Sequence, residues 1–260
     1  MKILSLILLV GLLLRPALSR SEDADAKNLV NRILDAQHTR GFIIRAKLTV
    51  SETGSDAHKA AQLRIKSRRD ERGSRWLYQV LWPAADKGTA LYLERLGKKS
   101  LGGFFFTLPD KVEAIGNDPL GIAYLSSDLS LEDLVDDFWQ WPDPKAGAQE
   151  EAGRETCRIV NLRPPPDMKS NYSLIRAWIS EEKAVPMRLL KFNRQGQAAK
   201  EFTVQKIVQN QRFWFPMVTI IQKPGGTRQT TFEISRGDRD VDVPVSDFSL
   251  EEMKKAAAAN

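Results

Sequence analysis

Two acidic heptapeptides, DLSLEDL at residues 128–134 and DFSLEEM at residues 247–253, carry the residue types best suited to chemistry. Paired carboxylates of this kind serve in acid–base catalysis or metal binding. The same pattern also places an acid three residues after a serine, Asp133 after Ser130 in the first copy, which resembles a helix capping box. Because no histidine or second carboxylate cluster accompanies either copy, we predict that both begin helices, with Ser130 and Ser249 as caps.

The two histidines and the single cysteine are the remaining groups that could act as a base, a nucleophile or a metal ligand. His38 stands near the end of a predicted helix and His58 in a predicted loop, and no partner motif accompanies either. Cys157 lies in a predicted strand, where a free cysteine usually behaves as a small buried hydrophobic residue. We therefore predict no catalytic residues, and we expect the protein not to be an enzyme.

Three alternating aspartates, Asp238, Asp240 and Asp242, match the opening of a calcium-binding loop. That loop also requires Gly at its sixth position and Glu at its twelfth, where this chain has Val243 and Ser249. Motifs of a nucleophile elbow, a zincin and a P-loop do not occur in the sequence. The sequence indicates no metal site and no cofactor, and the aspartates suit a solvated edge segment.

The first nineteen residues have the pattern of a secretory signal peptide. Lys2 precedes an apolar run at residues 3–14, and the small residues Ala17 and Ser19 occupy the positions before a cleavage site. The run is shorter than the roughly 20 residues that cross a bilayer, although an uncleaved anchor stays open as an alternative. No cysteine follows the run, so we predict export, cleavage near Ser19 and no lipid anchor.

The rest of the chain, residues 20–260, is predicted to be a single mainly β domain. The apolar period indicates a helix at residues 24–39 and then changes from helical to alternating. About eleven antiparallel strand candidates follow, interrupted once by two short helices within residues 118–141. The chain has a formal charge of +6, but its basic residues are interleaved with acids, which argues against a nucleic-acid partner.

Large aromatic and aliphatic residues are numerous for a chain with few helices to cover its sheet. A single curved sheet would expose an apolar concave face unless the predicted helices cover it. This arrangement leaves either a cavity under a helical lid or a core filled by side chains, and both are open at this point. The candidate cavity residues are Trp76, Tyr78, Val80, Leu91, Leu93, Phe104 and Phe106. The candidate lid residues are Leu120, Ile122, Leu125, Leu131, Leu134 and Phe138.

Two stretches resemble the LolA-like outer-membrane lipoprotein-sorting family. The first begins RAWISEEKAVPMRLLKF at Arg176 and continues through a turn at residues 193–196 to the WFP triplet at residues 214–216. The second is LYQVLWPAADKGTALYL, followed by a Leu-Pro segment and by DLSLEDL. The resemblance covers nearly the whole chain after residue 20. It departs from the family where VEAI at residues 112–115 replaces a basic pair, at a place where a partner or head-group contact could lie.

The resemblance implies an open antiparallel half-barrel with a helical lid over a hydrophobic cavity. It implies a monomeric periplasmic carrier that binds acyl chains of lipids or lipoproteins and passes them towards the outer membrane. The partners it implies are an inner-membrane exporter or an outer-membrane acceptor. An envelope sensor, or an accessory protein of an inner-membrane lipid exporter with the same fold, is the alternative, and an enzyme acting on lipid is a third.

Overall fold

The computed structural model describes residues 15–37, 40–56, 58–97 and 100–258. The apolar run of the predicted signal peptide and His38 lie outside these residues. The helices are α1 (Arg15–Gln37), α2 (Leu131–Val135) and α3 (Leu250–Ala258), with 3₁₀ turns at Tyr124–Ser126, Asp137–Gln140 and Val245–Phe248. In the described part of the chain, no helix combines the length and the apolar character needed to cross a membrane.

Thirteen strands form one antiparallel sheet in the order β6-β5-β4-β3-β2-β1-β13-β12-β11-β10-β9-β8-β7. The strands are β1 (Gly41–Glu52), β2 (His58–Asp70), β3 (Gly73–Trp82), β4 (Ala90–Leu96), β5 (Gly102–Thr107), β6 (Lys111–Ala114), β7 (Lys145–Ala152), β8 (Glu155–Leu162), β9 (Tyr172–Ser180), β10 (Pro186–Asn193), β11 (Ala198–Asn210), β12 (Phe213–Gln222) and β13 (Arg228–Arg239). The first and last strands pair in the middle of the sheet, from Phe42 opposite Arg239 to Glu52 opposite Arg228. Each edge strand has one neighbour, so the half-barrel is open.

The predicted open half-barrel with a helical lid is confirmed, and so are its eleven predicted strands. The two additional strands, β6 and β7, are the edges of the sheet. All four residues of β6 are exposed, and β7 is largely exposed and rich in Ala and Glu. An edge strand packs few side chains, so its sequence need not show the apolar alternation from which strands are predicted.

The inner face of the sheet is covered by two different elements. Helix α1 packs Leu29, Val30 and Ile33 against strands of the second half, among them Ile175 of β9. The central segment, defined as residues 115–144, covers the first half of the sheet with apolar side chains such as Leu131. Two covers that come from separate parts of the chain leave a space between them.

The central segment is less helical than expected. The predicted helix that starts near residue 118 is wrong, because only Tyr124–Ser126 forms a 3₁₀ turn there. Leu125 and Ser126 have positive φ values of 49° and 56°, which an α-helix does not accommodate. The second predicted helix is present as α2. Pairing of Ala123 with Ser130 closes the irregular stretch into a loop that leads into α2.

The outer face near β3 to β5 is covered by the C-terminal helix. Phe248 and Met253 pack there with Phe106, and Phe104 lies against the same cluster. This corrects the expectation that Phe104 and Phe106 line a cavity. In the pairing of β5 with β4, Phe105 lies opposite Leu91 and therefore points inward, so its two neighbours point outward.

Candidate functional site

A cavity of about 380 Å³ lies on the inner face of the sheet, between α1 and the central segment. It spans the place where β1 pairs with β13, and strands from both halves of the sheet form its floor. Its apolar wall includes Ile33, Phe42, Ile44, Ile65, Trp76, Tyr78, Leu134, Trp139, Phe202, Phe215, Ile221 and Phe232. Such a space, enclosed mainly by aliphatic and aromatic groups, can hold an apolar ligand.

Some of the candidate cavity residues lie in the wall and others lie beneath the central segment. Trp76 and Tyr78 line the cavity. Val80, Leu91 and Leu93 also face inward, but they are buried against the central segment and contribute to the core. Strand β3 therefore supplies the cavity only with its first half, and its second half supports the central segment.

The candidate lid residues divide in the same way. Leu134 lines the cavity. Leu120, Leu125 and Leu131 pack in the core beneath the central segment. Phe138 packs with the cluster under α1, and Ile122 is 36% exposed. The central segment is thus fixed to the sheet by most of its apolar side chains and faces the cavity with few.

The cavity wall contributed by the second half of the sheet was not predicted. Phe202 and Val204 of β11 and Phe232 and Ile234 of β13 line the cavity. Each pair occupies alternate positions of one strand, which is the signal that identified Trp76 and Tyr78. Applying the alternation rule to the later strands would have found these residues.

The first acidic heptapeptide fixes the central segment to the sheet. Asp128 accepts a hydrogen bond from Thr230 Oγ1 at 2.7 Å and pairs with Arg228 at 3.1 Å, both on β13. Glu132 accepts hydrogen bonds from the Ser170 hydroxyl at 2.5 Å and from the Asn171 amide at 3.0 Å. These acids bind strands and loops far away in the sequence, so they act as anchors as well as helix-start residues.

Asp133 is the most completely buried of these anchors. It accepts hydrogen bonds from the Ser130 amide at 2.8 Å and from the Tyr172 hydroxyl at 2.9 Å, and it pairs with Lys191 at 2.9 Å and with Lys200. Burial opposes ionisation of the carboxyl, but the two ammonium groups outweigh it and hold the pKa of Asp133 well below its usual range. Ser130 occupies the predicted N-cap position of α2, and its amide donates to Asp133 as in a capping box.

Lys191 sits inside a cage of three aromatic rings. Its Nζ lies 4.7 Å from the ring centre of Phe138, 5.1 Å from that of Tyr172 and 4.6 Å from that of Phe202. Ring faces are electronegative and attract cations, more strongly where water is excluded. The cage joins the central segment to β9, β10 and β11, directly beside the cavity wall at Phe202.

Helix α1 is attached to the sheet by fewer polar contacts. Asp23 accepts a hydrogen bond from the Ala146 amide at 3.0 Å and pairs with Lys145 at 2.8 Å, on β7. Arg32 donates to the carbonyl oxygen of Glu181 at 2.7 Å. Since these contacts are partly or fully exposed, each contributes little to stability. Helix α1 is therefore held to the sheet mainly by its apolar side chains, among them Val30 and Ile33.

The single cysteine and His58 lie away from the cavity wall. Cys157 is fully buried in β8, and burial together with Glu155 raises the pKa of its thiol to about 11. His58 is exposed at the start of β2, with Nδ1 3.3 Å from the carbonyl oxygen of Asp56. Within residues 15–37, 40–56, 58–97 and 100–258, no group of three or more His, Cys, Asp or Glu residues could hold a metal ion.

The acidic stretches near the C-terminus form surface ion pairs and a helix cap. Asp240 pairs with Arg40 and Asp242 with Arg68, so both aspartates serve in surface ion pairs. In the second heptapeptide, the Glu252 amide donates to Ser249 Oγ at 3.3 Å at the start of α3. The cap predicted at Ser249 is therefore confirmed, and the second heptapeptide belongs to the outer face of the sheet.

Comparison with known proteins gives matches to a family model and to solved structures. Residues 73–255 match the model of a family described as "Uncharacterized protein". No curated protein matches the chain in sequence. A DUF1329 family protein from Desulfovibrio piger superposes with a TM-score of 0.80 at 15% identity, covering 89% of this chain and 99% of that one.

Two further structures carry descriptions that refer to lipoprotein sorting or to the same superfamily. An outer membrane lipoprotein-sorting protein domain from Vibrio parahaemolyticus has a TM-score of 0.78 at 16% identity, over 89% of this chain and 99% of that one. A LolA superfamily protein from Nitrosomonas europaea has a TM-score of 0.66 at 14% identity, over 90% and 98% of the two chains. At such low identity these likenesses establish the fold.

Proposed function

Since the chain belongs to the family whose model spans residues 73–255 and has the fold of LolA-superfamily proteins, we propose that it is a periplasmic carrier. It holds an acyl chain of a lipid or lipoprotein in the cavity and carries it towards the outer membrane. Residues 1–19 direct export and are removed, and residues 20–260 form the binding domain.

The apolar cavity is the observation that carries this proposal. Its volume of about 380 Å³ falls in the range of small-molecule sites, which is roughly 300–1,000 Å³. Aliphatic and aromatic side chains from both halves of the sheet and from both covers form its wall. Each methylene transferred from water to such a wall contributes about 0.8 kcal/mol, so an acyl chain gains affinity with every buried carbon.

The difference between the two covers supports transport. The central segment is fixed by buried ion pairs and apolar packing. Helix α1 contributes Ile33 and Ala36 to the wall and is joined to the sheet through exposed polar contacts such as that of Asp23 with Lys145. Entry and release of the acyl chain then require displacement of α1, while the central segment stays in place.

A carrier accounts for the polar groups near the cavity better than a lipid hydrolase does. A hydrolase needs a nucleophile activated by a neighbouring base at the substrate. The most buried acid of the wall, Asp133, is neutralised by Lys191 and Lys200, which fixes it as an anchor. The thiol of Cys157 has a raised pKa and belongs to a cluster outside the cavity wall.

Binding of a dansyl-labelled fatty acid to the purified full chain tests the proposal. Thr219 of β12 lines the cavity, whereas its neighbour Ile220 lies on the other face of the strand. We expect Thr219→Trp to fill the cavity and weaken binding about tenfold or more, which corresponds to roughly 1.4 kcal/mol. The matched control Ile220→Trp should bind like the unmodified chain. Absence of binding by the unmodified chain, or equal losses in both variants, contradicts the proposal.

A further inference from the structure

The cavity wall changes from charged to apolar along three neighbouring strands. Arg69 and Ser67 of β2 line one end of the cavity, and Ile65 of the same strand follows. On β13, Arg239 lines that end, followed further along by Ile234. Phe42 of β1 lies between them, since it pairs with Ser67 on one side and with Arg239 on the other.

Arg69 and Arg239 lie on the two strands that flank β1. Arg69 lies two residues beyond Ser67, which is in register with Arg239 across Phe42. With about 4.8 Å between strands and about 3.4 Å per residue along a strand, the backbones that carry Arg69 and Arg239 are separated by about 12 Å. Both side chains line the same cavity. Arginine side chains are long enough to converge on an anion placed between such strands, with several N–H donors each.

Neither arginine forms a salt bridge within the described residues, whereas Arg68, Arg95, Arg188 and Arg228 each form one. Arg69 Nε donates to the Ser74 hydroxyl at 3.1 Å. Arg239 donates to the carbonyl oxygen of Ala36 and stacks on Phe215 at 3.8 Å from the ring centre. Both are half-buried, and desolvation lowers the pKa of each below the usual value.

The other charged groups of the wall already have partners. Asp133 is paired with Lys191 and Lys200, and Arg188 with Glu201. Asp136 accepts a hydrogen bond from the Trp139 indole at 3.3 Å. Asp137, whose charge acts on Arg69, is paired with Arg95. A half-buried guanidinium without a counter-charge is costly, and an anionic ligand removes that cost.

We propose that Arg69 and Arg239 bind the anionic head group, a carboxylate or a phosphate, of the acyl ligand whose chain lies along the apolar wall. This assignment rests on the proposed carrier function and names the ligand class: single-chain or multi-chain lipids with a negatively charged head. The head lies beside the C-terminal end of α1, because Arg239 also holds the carbonyl oxygen of Ala36. Ligand binding therefore acts on the same arginine that tethers α1.

Competition for a neutral fluorescent acyl probe tests the assignment in the full chain. The competitors are palmitic acid, lysophosphatidic acid, the neutral alcohol hexadecanol and inorganic phosphate. We expect both acyl anions to compete about tenfold more strongly than hexadecanol, and phosphate alone to displace no probe. The double variant Arg69→Gln/Arg239→Gln should lose this preference, so that palmitic acid and hexadecanol compete equally, and its circular dichroism spectrum should match that of the unmodified chain.

The matched control is Arg64→Gln/Arg236→Gln. These arginines occupy the same two strands, opposite Arg45 of β1 and on the outer face. The control should keep the tenfold preference. Equal competition by palmitic acid and hexadecanol, a preference that persists in the double variant, or displacement by inorganic phosphate overturns the head-group site while leaving the carrier function intact. If neither the probe nor any acyl competitor binds, the carrier function itself fails.

Discussion

Nζ of Lys191 lies 2.9 Å from Oδ1 of Asp133, and the two side chains are 1% and 0% exposed. The pair connects α2 of the central segment to β10 of the sheet, beside the wall of the cavity. Because both charges are out of water, the free energy of the pair depends on each partner remaining in place. The fixed cover of the cavity is thus held by a buried charge contact within an aromatic cage.

Replacing Lys191 with methionine tests this contact. The substitution leaves the buried Asp133 with Lys200 alone, and loss of one partner of a buried pair typically costs about 3 kcal/mol or more. We expect Lys191→Met to lower the free energy of unfolding by about 3 kcal/mol in urea titrations. The control is Lys206→Met, because Lys206 is exposed on the neighbouring strand β11. This variant should leave the free energy of unfolding nearly unchanged. If Lys191→Met is as mild as Lys206→Met, the pair does not hold the central segment.

The two heptapeptides predict different effects for the same substitution. The Ser130 hydroxyl donates to the buried Asp133 at 2.7 Å, whereas Ser249 caps α3 on the outer face. Loss of a cap costs about 1 kcal/mol. We expect Ser130→Ala to increase hydrogen exchange of α2 and to speed release of a bound acyl probe in stopped-flow measurements. Ser249→Ala should only fray α3 and leave the release rate of the probe unchanged. If Ser130→Ala and Ser249→Ala release the probe at the same rate, α2 does not cover the ligand.

The buried carboxyl of Asp136 makes the stability of the folded protein depend on pH. Desolvation by burial raises the pKa of its carboxyl from 3.8 to about 6. The folded state therefore binds this proton more tightly than the unfolded state, and the resulting stability is lost as pH rises from about 4 to about 6. Asp136→Asn should be more stable than the unmodified chain by about 3 kcal/mol above pH 6.

The difference between Asp136→Asn and the unmodified chain should vanish near pH 4, where the Asp136 carboxyl is largely protonated in the folded state. Urea unfolding at a series of pH values measures this difference. The Trp139 indole can still donate to the side-chain oxygen of the introduced amide, so the hydrogen bond at 3.3 Å is kept. A stability difference that is independent of pH would show that the pKa of Asp136 is the same in the folded and unfolded states and would contradict the raised pKa.

A row of three arginines crosses the outer face of the sheet. Arg45 of β1 lies directly opposite Arg64 of β2 and Arg236 of β13. Like charges at paired positions are destabilising by several tenths of a kcal/mol. We expect Arg45→Thr to raise the free energy of unfolding by about 0.5 kcal/mol at low salt, and by less at high salt.

Lys47→Thr is the control for the arginine row. Lys47 lies on the same strand and face, but opposite Gln62 and Glu233. Its loss should leave stability unchanged or lower it. Thermal unfolding of both variants at two salt concentrations measures the effect. Stabilisation by both substitutions to the same extent would point to strand propensity rather than charge repulsion.

Much of this architecture could be predicted because the inner face of the sheet is apolar at every second position. Phe42 and Ile44 occupy alternate positions of β1, and both line the cavity. The rule fails at Phe104 to Phe106, where three consecutive phenylalanines have no alternation. Their orientation depends on pairing with β4, in particular on Phe105 opposite Leu91, and pairing register is a tertiary property.

The anchors of the central segment could not be predicted for a related reason. Asp133 contacts Lys191 and Lys200 across 58 and 67 residues of sequence. No local pattern reports such a contact, so the heptapeptide showed only its helix-start character. The edge strands were missed because they need little packing. The local sequence therefore predicts a strand and the face on which each side chain lies, but not the distant residue that the side chain contacts.

The central proposal is tested most directly by measuring whether the protein, isolated from its own cells, contains a bound acyl lipid. The full chain, purified without detergent, would be extracted with organic solvent and the extract analysed by mass spectrometry beside that of Thr219→Trp. The proposal predicts about one acyl lipid with an anionic head for each unmodified chain, and a strong reduction in the variant whose cavity is filled. Extracts without acyl lipid, or with the same traces in both proteins, would contradict it.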